Sequence, residues 1–249
     1  MSLLIILAVI VAVFLGALTR TVFGFGEAVV SMPLLALLPL HLPTAVALMG
    51  VVSLTVAAVT VSTGWRHIHR RELAPVIGAA LPGIPVGLWM VASVPTPVVT
   101  GFLGVSLMAY GTFSLWRSRS ISSVKPMPAN RLWGLLFGFA SGVFGSAYNF
   151  TGIPVAIYGS YRGWQPRNFR ATLQAYFLLA GILIVAGQGL SGMWTLAMGR
   201  LLLFSMPAIA AALVLGTKLQ KHIPAPKFRR YVFWLVTALG LTLLLKLTL

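Results

Sequence analysis

Arg20-Thr21-Val22-Phe23-Gly24-Phe25-Gly26-Glu27, followed by Ala28 to Met32 and then Pro33, decides how the chain must be read. The stretch interrupts a hydrophobic run with two glycines, an arginine and one of only two acidic residues in the sequence. Unpaired backbone and charge are costly in hydrocarbon, so this is not ordinary lipid-facing helix. A functional break inside a membrane helix is the expectation.

The composition around it supports that reading. Of the 249 residues 59% are hydrophobic and 8% charged, and the mean hydropathy of +0.97 lies far from the globular balance. Met1 to Thr19 carries no basic start and no clear small-residue cleavage site, so it reads as a retained membrane segment rather than a signal peptide. The net charge of +16 would suggest a nucleic-acid partner if it covered a soluble face. Instead every Lys and Arg except Arg20, Arg200 and Lys246 falls in four short stretches between apolar segments, where the positive-inside rule accounts for it. The lipid bilayer, and no nucleic acid, is the partner this implies. Without cysteine there is no disulfide, thiolate metal site or thiol nucleophile.

Crossing the hydrocarbon takes about 20 apolar residues. Ten apolar segments emerge: Leu3 to Thr19, Ala28 to Leu40, Pro43 to Gly64, Leu73 to Ser93, Pro97 to Trp116, Leu132 to Ser146, Phe150 to Tyr158, Ala171 to Gly187, Trp194 to Thr217 and Tyr231 to Leu249. The second, sixth and seventh are short, and each flanks one of two glycine-containing breaks. Broken or re-entrant helices are tolerated at that depth only inside protein or along a cavity.

The halves repeat. Phe23-Gly24 with Pro33 recurs as Phe144-Gly145 with Pro154; Pro95-Thr96-Pro97 recurs as Pro224-Ala225-Pro226, and Gly111 matches Gly240. Residues 1–120 form the first repeat, 121–130 a linker and 131–249 the second, within one all-α polytopic membrane domain. Arg66, Arg70 and Arg71 follow the third segment, whereas the equivalent Gly187 to Met193 has no base; Arg162, Arg167 and Arg170 stand where the first half has His41, and Lys218 to Arg230 surrounds the second Pro-x-Pro turn. Equivalent loops therefore lie on opposite faces and the repeat is inverted. The linker region, with Arg117, Arg119, Lys125 and Arg131, is cytoplasmic, and five segments per half put both termini outside. Inverted repeats with broken helices near the midplane are a recurring plan of secondary transporters.

The break Phe23-Gly24-Phe25-Gly26 to Pro33-Leu34-Leu35, its degenerate copy Phe144-Gly145-Ser146-Ala147-Tyr148-Asn149 to Pro154, and halves of this size resemble the sulfite exporter TauE/SafE family, also known as toluenesulfonate uptake permeases. The resemblance covers nearly the whole chain. Phe25 and Glu27 stand where members often run more glycines, and the second copy holds few. What the resemblance implies is transport of small sulfur-containing anions, such as sulfite or organosulfonates, across the bacterial inner membrane.

Free N-H groups at a half-helix start make a positive end that holds anions. Gly24 and Gly26 permit the needed dihedrals, so Phe25, Gly26, Glu27 and Ala28 open one such half-helix. Ser146, Tyr148, Asn149 and Thr151 in the second copy offer hydroxyls and an amide to sulfonate oxygens. The competing reading of the glycines is tight helix packing. Arg20 either forks onto the oxyanion or is the cytoplasmic end of its segment. Glu27 either pairs with Arg20 or carries a coupling proton. Arg167, Asn168, Arg170 and Gln174 gather where the second break returns to the cytoplasm. They either receive an anion or signal topology. Arg200 either attracts an anion from outside or snorkels. Glu72 reads as an interfacial cap, and Trp65, Trp116, Trp133, Trp164 and Trp194 as an interfacial belt. His67 and His69 are two residues apart, do not face one another on a helix and lack a third ligand, so no metal site is expected. No HExxH, GxSxG or Walker motif is present, and no cofactor or enzymatic activity is expected.

The expected function is alternating-access transport of a small organosulfur or sulfur oxyanion, with protons coupled through Glu27. An anion-selective channel is the alternative, and a membrane scaffold a third. Glycine-bearing apolar faces would suit a homodimer.

Overall fold

A computed structural model describes residues 3–61, 65–119 and 131–220, with isolated helical positions between 234 and 245. The linker at 121–130, the Pro224-Ala225-Pro226 turn and most of the Tyr231 to Leu249 segment lie outside the described residues. Among the described residues the chain is all helix: α1 (Leu3–Phe23), α2 (Glu27–Leu37), α3 (Leu42–Val61), α4 (Arg70–Ser93), α5 (Thr96–Arg119), α6 (Arg131–Tyr148), α7 (Gly152–Tyr161), α8 (Pro166–Leu190) and α9 (Leu196–Leu219), with a 3-10 turn at Trp65–His67. Six of these, α1, α3, α4, α5, α8 and α9, are long and apolar enough to cross a bilayer. Leu4, Val11, Trp89 and Leu203 are among many large apolar side chains on the outside, a surface that lipid covers and water would not. The protein is a multi-pass membrane protein.

The breaks fall where backbone chemistry puts them. α1 runs past its apolar stretch and through Arg20, then stops because Gly24 and Gly26 take φ values of 84° and 94°. Only glycine adopts that left-handed backbone cheaply. α2 then has 11 residues and α7 has 10, about half of what a crossing needs. The second break is shorter than the sequence suggests. α6 continues through Phe144, Gly145, Ser146 and Tyr148, leaving only Asn149, Phe150 and Thr151 between it and α7. It ends on Asn149 at φ 59°, a conformation asparagine tolerates better than other side chains. Asn149 N-H donates to Gly145 O at 2.8 Å and Phe150 N-H to Phe144 O at 3.1 Å, closing the helix end.

Three helix pairs make the frame. α4 lies along α6 and α1 along α9, while α3 and α8 meet in the centre; α3 also touches α9, and α8 touches α4. Glycines set the closest approach. Side chains at Gly83 and Gly87 of α4 would run into the backbone of Phe139 and Val143, and side chains at Gly138 and Gly142 of α6 into the carbonyls of Val76 and Ala80. Four-residue spacing puts each pair on one face, the small-xxx-small arrangement that brings membrane helices together. The small-residue reading of glycine thus holds for this pair of helices, whereas Gly24 and Gly26 serve backbone conformation.

Gly142→Leu therefore destabilises the protein by the 1–3 kcal/mol or so typical of overpacking, or abolishes monodisperse protein. Gly78→Leu, on an exposed stretch of α4 with no atom near the new side chain, leaves the melting temperature in detergent within a degree or two. Parallel thermal melts check the contrast.

Candidate functional site

Arg20 lies in the last turn of α1, inside the protein, 2% exposed, beside Glu27 at 3%. Its Nη1 donates to Glu27 Oε2 at 2.7 Å, to Ser53 O at 3.0 Å and to the Ser53 hydroxyl; Nη2 donates to Gln174 Oε1 at 3.3 Å. The guanidinium carbon stands 4.3 Å from the centre of the Phe177 ring, within cation-π range. Arg20 thus lies near the end of its segment but is buried in protein, and pairing with Glu27 is observed. A fully desolvated guanidinium costs several kcal/mol unless paired and hydrogen-bonded, and α2, α3 and α8 each contribute a contact to it.

Gln174 does the most to hold the first break. Its Oε1 accepts from Arg20 and from Thr60 Oγ1 at 2.9 Å, and its Nε2 donates to Gly24 O at 2.8 Å. Arg170, one turn earlier on α8, donates from Nη2 to Val22 O at 2.5 Å. Two carbonyls freed by the interruption thus find side-chain donors from the other half of the chain, as buried backbone requires. Arg170 and Gln174 act as clamps on the break, and Arg167 is exposed.

Both half-helices start at one small cavity. Gly26, Glu27, Ala28 and Val29 of the first break line it together with Asn149, Phe150, Thr151, Gly152 and Ile153 of the second, and Arg20, Ser53 and Phe177 complete the wall. Neither N-terminus is capped by a side chain of its N-cap residue, Gly26 or Thr151. The first N-H groups of a helix lack intrahelical acceptors, and each start carries about half a positive charge. Glu27, first residue of α2, already occupies the positive end. Its Oε1 and Nε of Arg20 are buried with no hydrogen-bond partner among the described residues. The open space is about 20 Å³, enough for roughly one water and too small for a sulfur oxyanion.

Other residues singled out in the sequence lie elsewhere. Ser146 is buried in α6 with its hydroxyl directed at Ile84 O and Gly142 O, tying α6 to α4. Tyr148 donates to Val99 O at 2.7 Å. Neither lines the cavity, because both belong to α6, which turns them toward neighbouring helices. Phe25 also misses it and meets Phe169 edge-on at 6.4 Å. Asn149 does line it, with Nδ2 donating to Val46 O at 2.8 Å. Arg200 is exposed on α9.

Glu72 stands in the first turn of α4, at the helix start where the sequence placed it, and does more than cap it. It accepts from the Tyr158 hydroxyl at 2.6 Å and forms an ion pair with Arg162, linking the start of α4 to the end of α7. The carboxylate holds the Arg162 guanidinium above its ordinary proton affinity. Trp164 packs edge-on against Tyr158 and Phe169. His69 faces Asn168 at 2.7 Å, and no metal-binding group of three His, Cys, Asp or Glu exists among the described residues. Sequence reasoning missed Ser53, Phe177 and the α7 start Gly152–Ile153. A lone serine or phenylalanine in an apolar run carries no sign that it faces a charge.

Arg20→Met leaves Glu27 buried alone and lowers stability by about 3–5 kcal/mol, as does Glu27→Leu for Arg20. Combining the two restores much of the loss, and thermal melts of the three variants in detergent measure the coupling.

The family model for the sulfite exporter TauE/SafE matches residues 8–243. No curated protein and no solved structure matches the chain. A match running from α1 into the last helical positions takes in both breaks, both half-helices and every residue around the Arg20–Glu27 pair, and the chain belongs to the sulfite exporter TauE/SafE family of membrane transporters.

Proposed function

We propose that the protein is a secondary transporter that carries a small sulfur oxyanion, sulfite or an organosulfonate, together with a proton through the cavity between the two breaks. The observation that carries the reading is the meeting of two uncapped half-helix starts with a buried arginine in one place. Three sources of positive potential converge where lipid would otherwise forbid charge. The only anionic group there is the Glu27 carboxylate, held by Arg20.

Charge balance gives the coupling. Arg20 and Glu27 together are neutral. An added anion leaves the buried site with one uncompensated negative charge, which the interior disfavours strongly. Protonating Glu27 as the anion arrives restores neutrality, releases Arg20 to fork onto the oxyanion, and converts Glu27 from acceptor to donor. The substrate thus takes the place the carboxylate now holds. With only about 20 Å³ of space, the cavity supports a carrier that must rearrange over an open pore.

The exchange of partners between halves supports an inverted repeat as the moving architecture: α1 sits on α9 as α6 sits on α4, and α3 touches α9 as α8 touches α4. Rocking one set against the other about the α3–α8 seam would open the cavity to each face in turn. We place the protein in the bacterial inner membrane with both termini periplasmic, on the distribution of basic loops.

Purified protein melts at higher temperature with sulfite, thiosulfate or a sulfonate than with carboxylates of equal charge, since binding stabilises by mass action. In proteoliposomes labelled sulfite exchanges against unlabelled, and an imposed pH gradient drives its accumulation. Glu27→Gln retains exchange and loses the response to pH. Accumulation by Glu27→Gln equal to wild type would refute the proton's route.

A further inference from the structure

Two glutamines and a glycine recur at seven-residue spacing along α8: Gln174, Gly181 and Gln188. Seven residues make nearly two turns, so all three lie on one stripe. That stripe faces α3. Gln174 meets Thr60, the Gly181 position meets Leu54, and the Gln188 amide lies against Gly50, where any added side chain would collide with it. The helices run antiparallel, and Ser53 of α3, which holds Arg20, lies between the levels of the two amides.

The two amides are treated differently. Gln174 is hydrogen-bonded through both its Oε1 and its Nε2. Gln188 is 0% exposed, and both its Oε1 and its Nε2 lack a hydrogen-bond partner among the described residues. Leaving one buried polar group unmade costs about 1–3 kcal/mol, and here donor and acceptor are both unmade. An apolar side chain would fill the position without that cost. Gln188 also stands close to the central cavity. Gly50 is one turn along α3 from Val46, whose carbonyl takes the Asn149 amide, and about one turn from Ser53.

We propose that Gln188 is a second station for the transported anion, on the side of the central cavity away from Arg167 and Arg170. The station rests on the transport reading above and extends it to a residue outside the cavity. As the α3–α8 seam loosens, the amide N-H groups donate to a sulfur oxyanion while the carbonyl accepts from a water or hydroxyl that the anion carries. Gly50 leaves the room, because its missing side chain is the space in which the amide turns. Gln174 plays the matching part toward the basic face, where it is already engaged in closing the break. An anion crossing from one end of α8 to the other thus meets an amide before and after Arg20, roughly 21 Å apart at helical rise.

The test uses the full chain in proteoliposomes with sulfite as probe. Because the sequence has no cysteine, Ser191→Cys, at the exposed end of α8, reports orientation through an impermeant maleimide. Gln188→Met should fold, melt at an equal or higher temperature, and raise KM for sulfite by roughly ten-fold or more from the Ser191 face alone. KM from the Arg167 face and the sulfite-induced thermal shift should stay within about two-fold of wild type, and Gln188→Asn should recover part of the loss. Should Gln188→Met fail to fold, Gly50→Ala, which crowds the amide from the opposite helix, should give the same one-sided defect. Unchanged KM on both faces, or an equal rise on both, overturns the station. Wild-type protein that neither binds nor moves sulfite brings down the transport reading and the station with it, and is distinguished because the failure precedes any substitution.

Discussion

A guanidinium and a carboxylate kept from water at the point where two helices are interrupted set the terms for the rest of the molecule. Arg20 and Glu27 face each other at 2.7 Å with almost no exposed surface. Neither charge is tolerable there alone. The arrangement that satisfies them recruits Ser53 from α3 and Gln174 and Phe177 from α8. Those contacts in turn fix the seam at the centre of the fold and hold the first break closed through Gly24 O. The pair is therefore a structural keystone and, in the mechanism proposed above, the part an incoming anion alters most.

Packing around this centre divides into rigid and adjustable parts. α4 and α6 approach backbone to backbone through glycines on both helices, an interface with little slack. The breaks are held differently, by side-chain hydrogen bonds to loose carbonyls: Arg170 to Val22, Gln174 to Gly24, Asn149 to Val46. Bonds of that kind exchange partners without disturbing a packed core. The alternating access proposed above would keep the rigid contacts at the flanks and exchange those in the middle.

Much of this was legible in the sequence. Hydropathy located the described helices α1 to α9 to within a few residues, and Gly24, Gly26 and the pairing of Arg20 with Glu27 were readable because glycines and charges are conspicuous in an apolar run. Three features were not. The extent of α6 past Ser146 to Tyr148 depends on Asn149 taking a left-handed backbone, a role asparagine does not announce. The depth of Arg20 depended on whether α1 continues through it, which apolar run length cannot decide. Ser53 and Phe177 belong to the site only through the crossing of α3 and α8, and that long-range geometry leaves no local mark.

The account stands on an anion occupying the space that the Glu27 carboxylate now fills between the starts of α2 and α7. Selenite, a heavier analogue of sulfite, makes that directly visible, because selenium scatters anomalously. Diffraction from crystals grown with selenite should show one anomalous peak within hydrogen-bonding reach of Arg20 and the Gly152 and Ala28 amides, with Glu27 turned aside. A peak confined to the exposed arginines of the basic loops, with the Arg20–Glu27 pair intact, would contradict it.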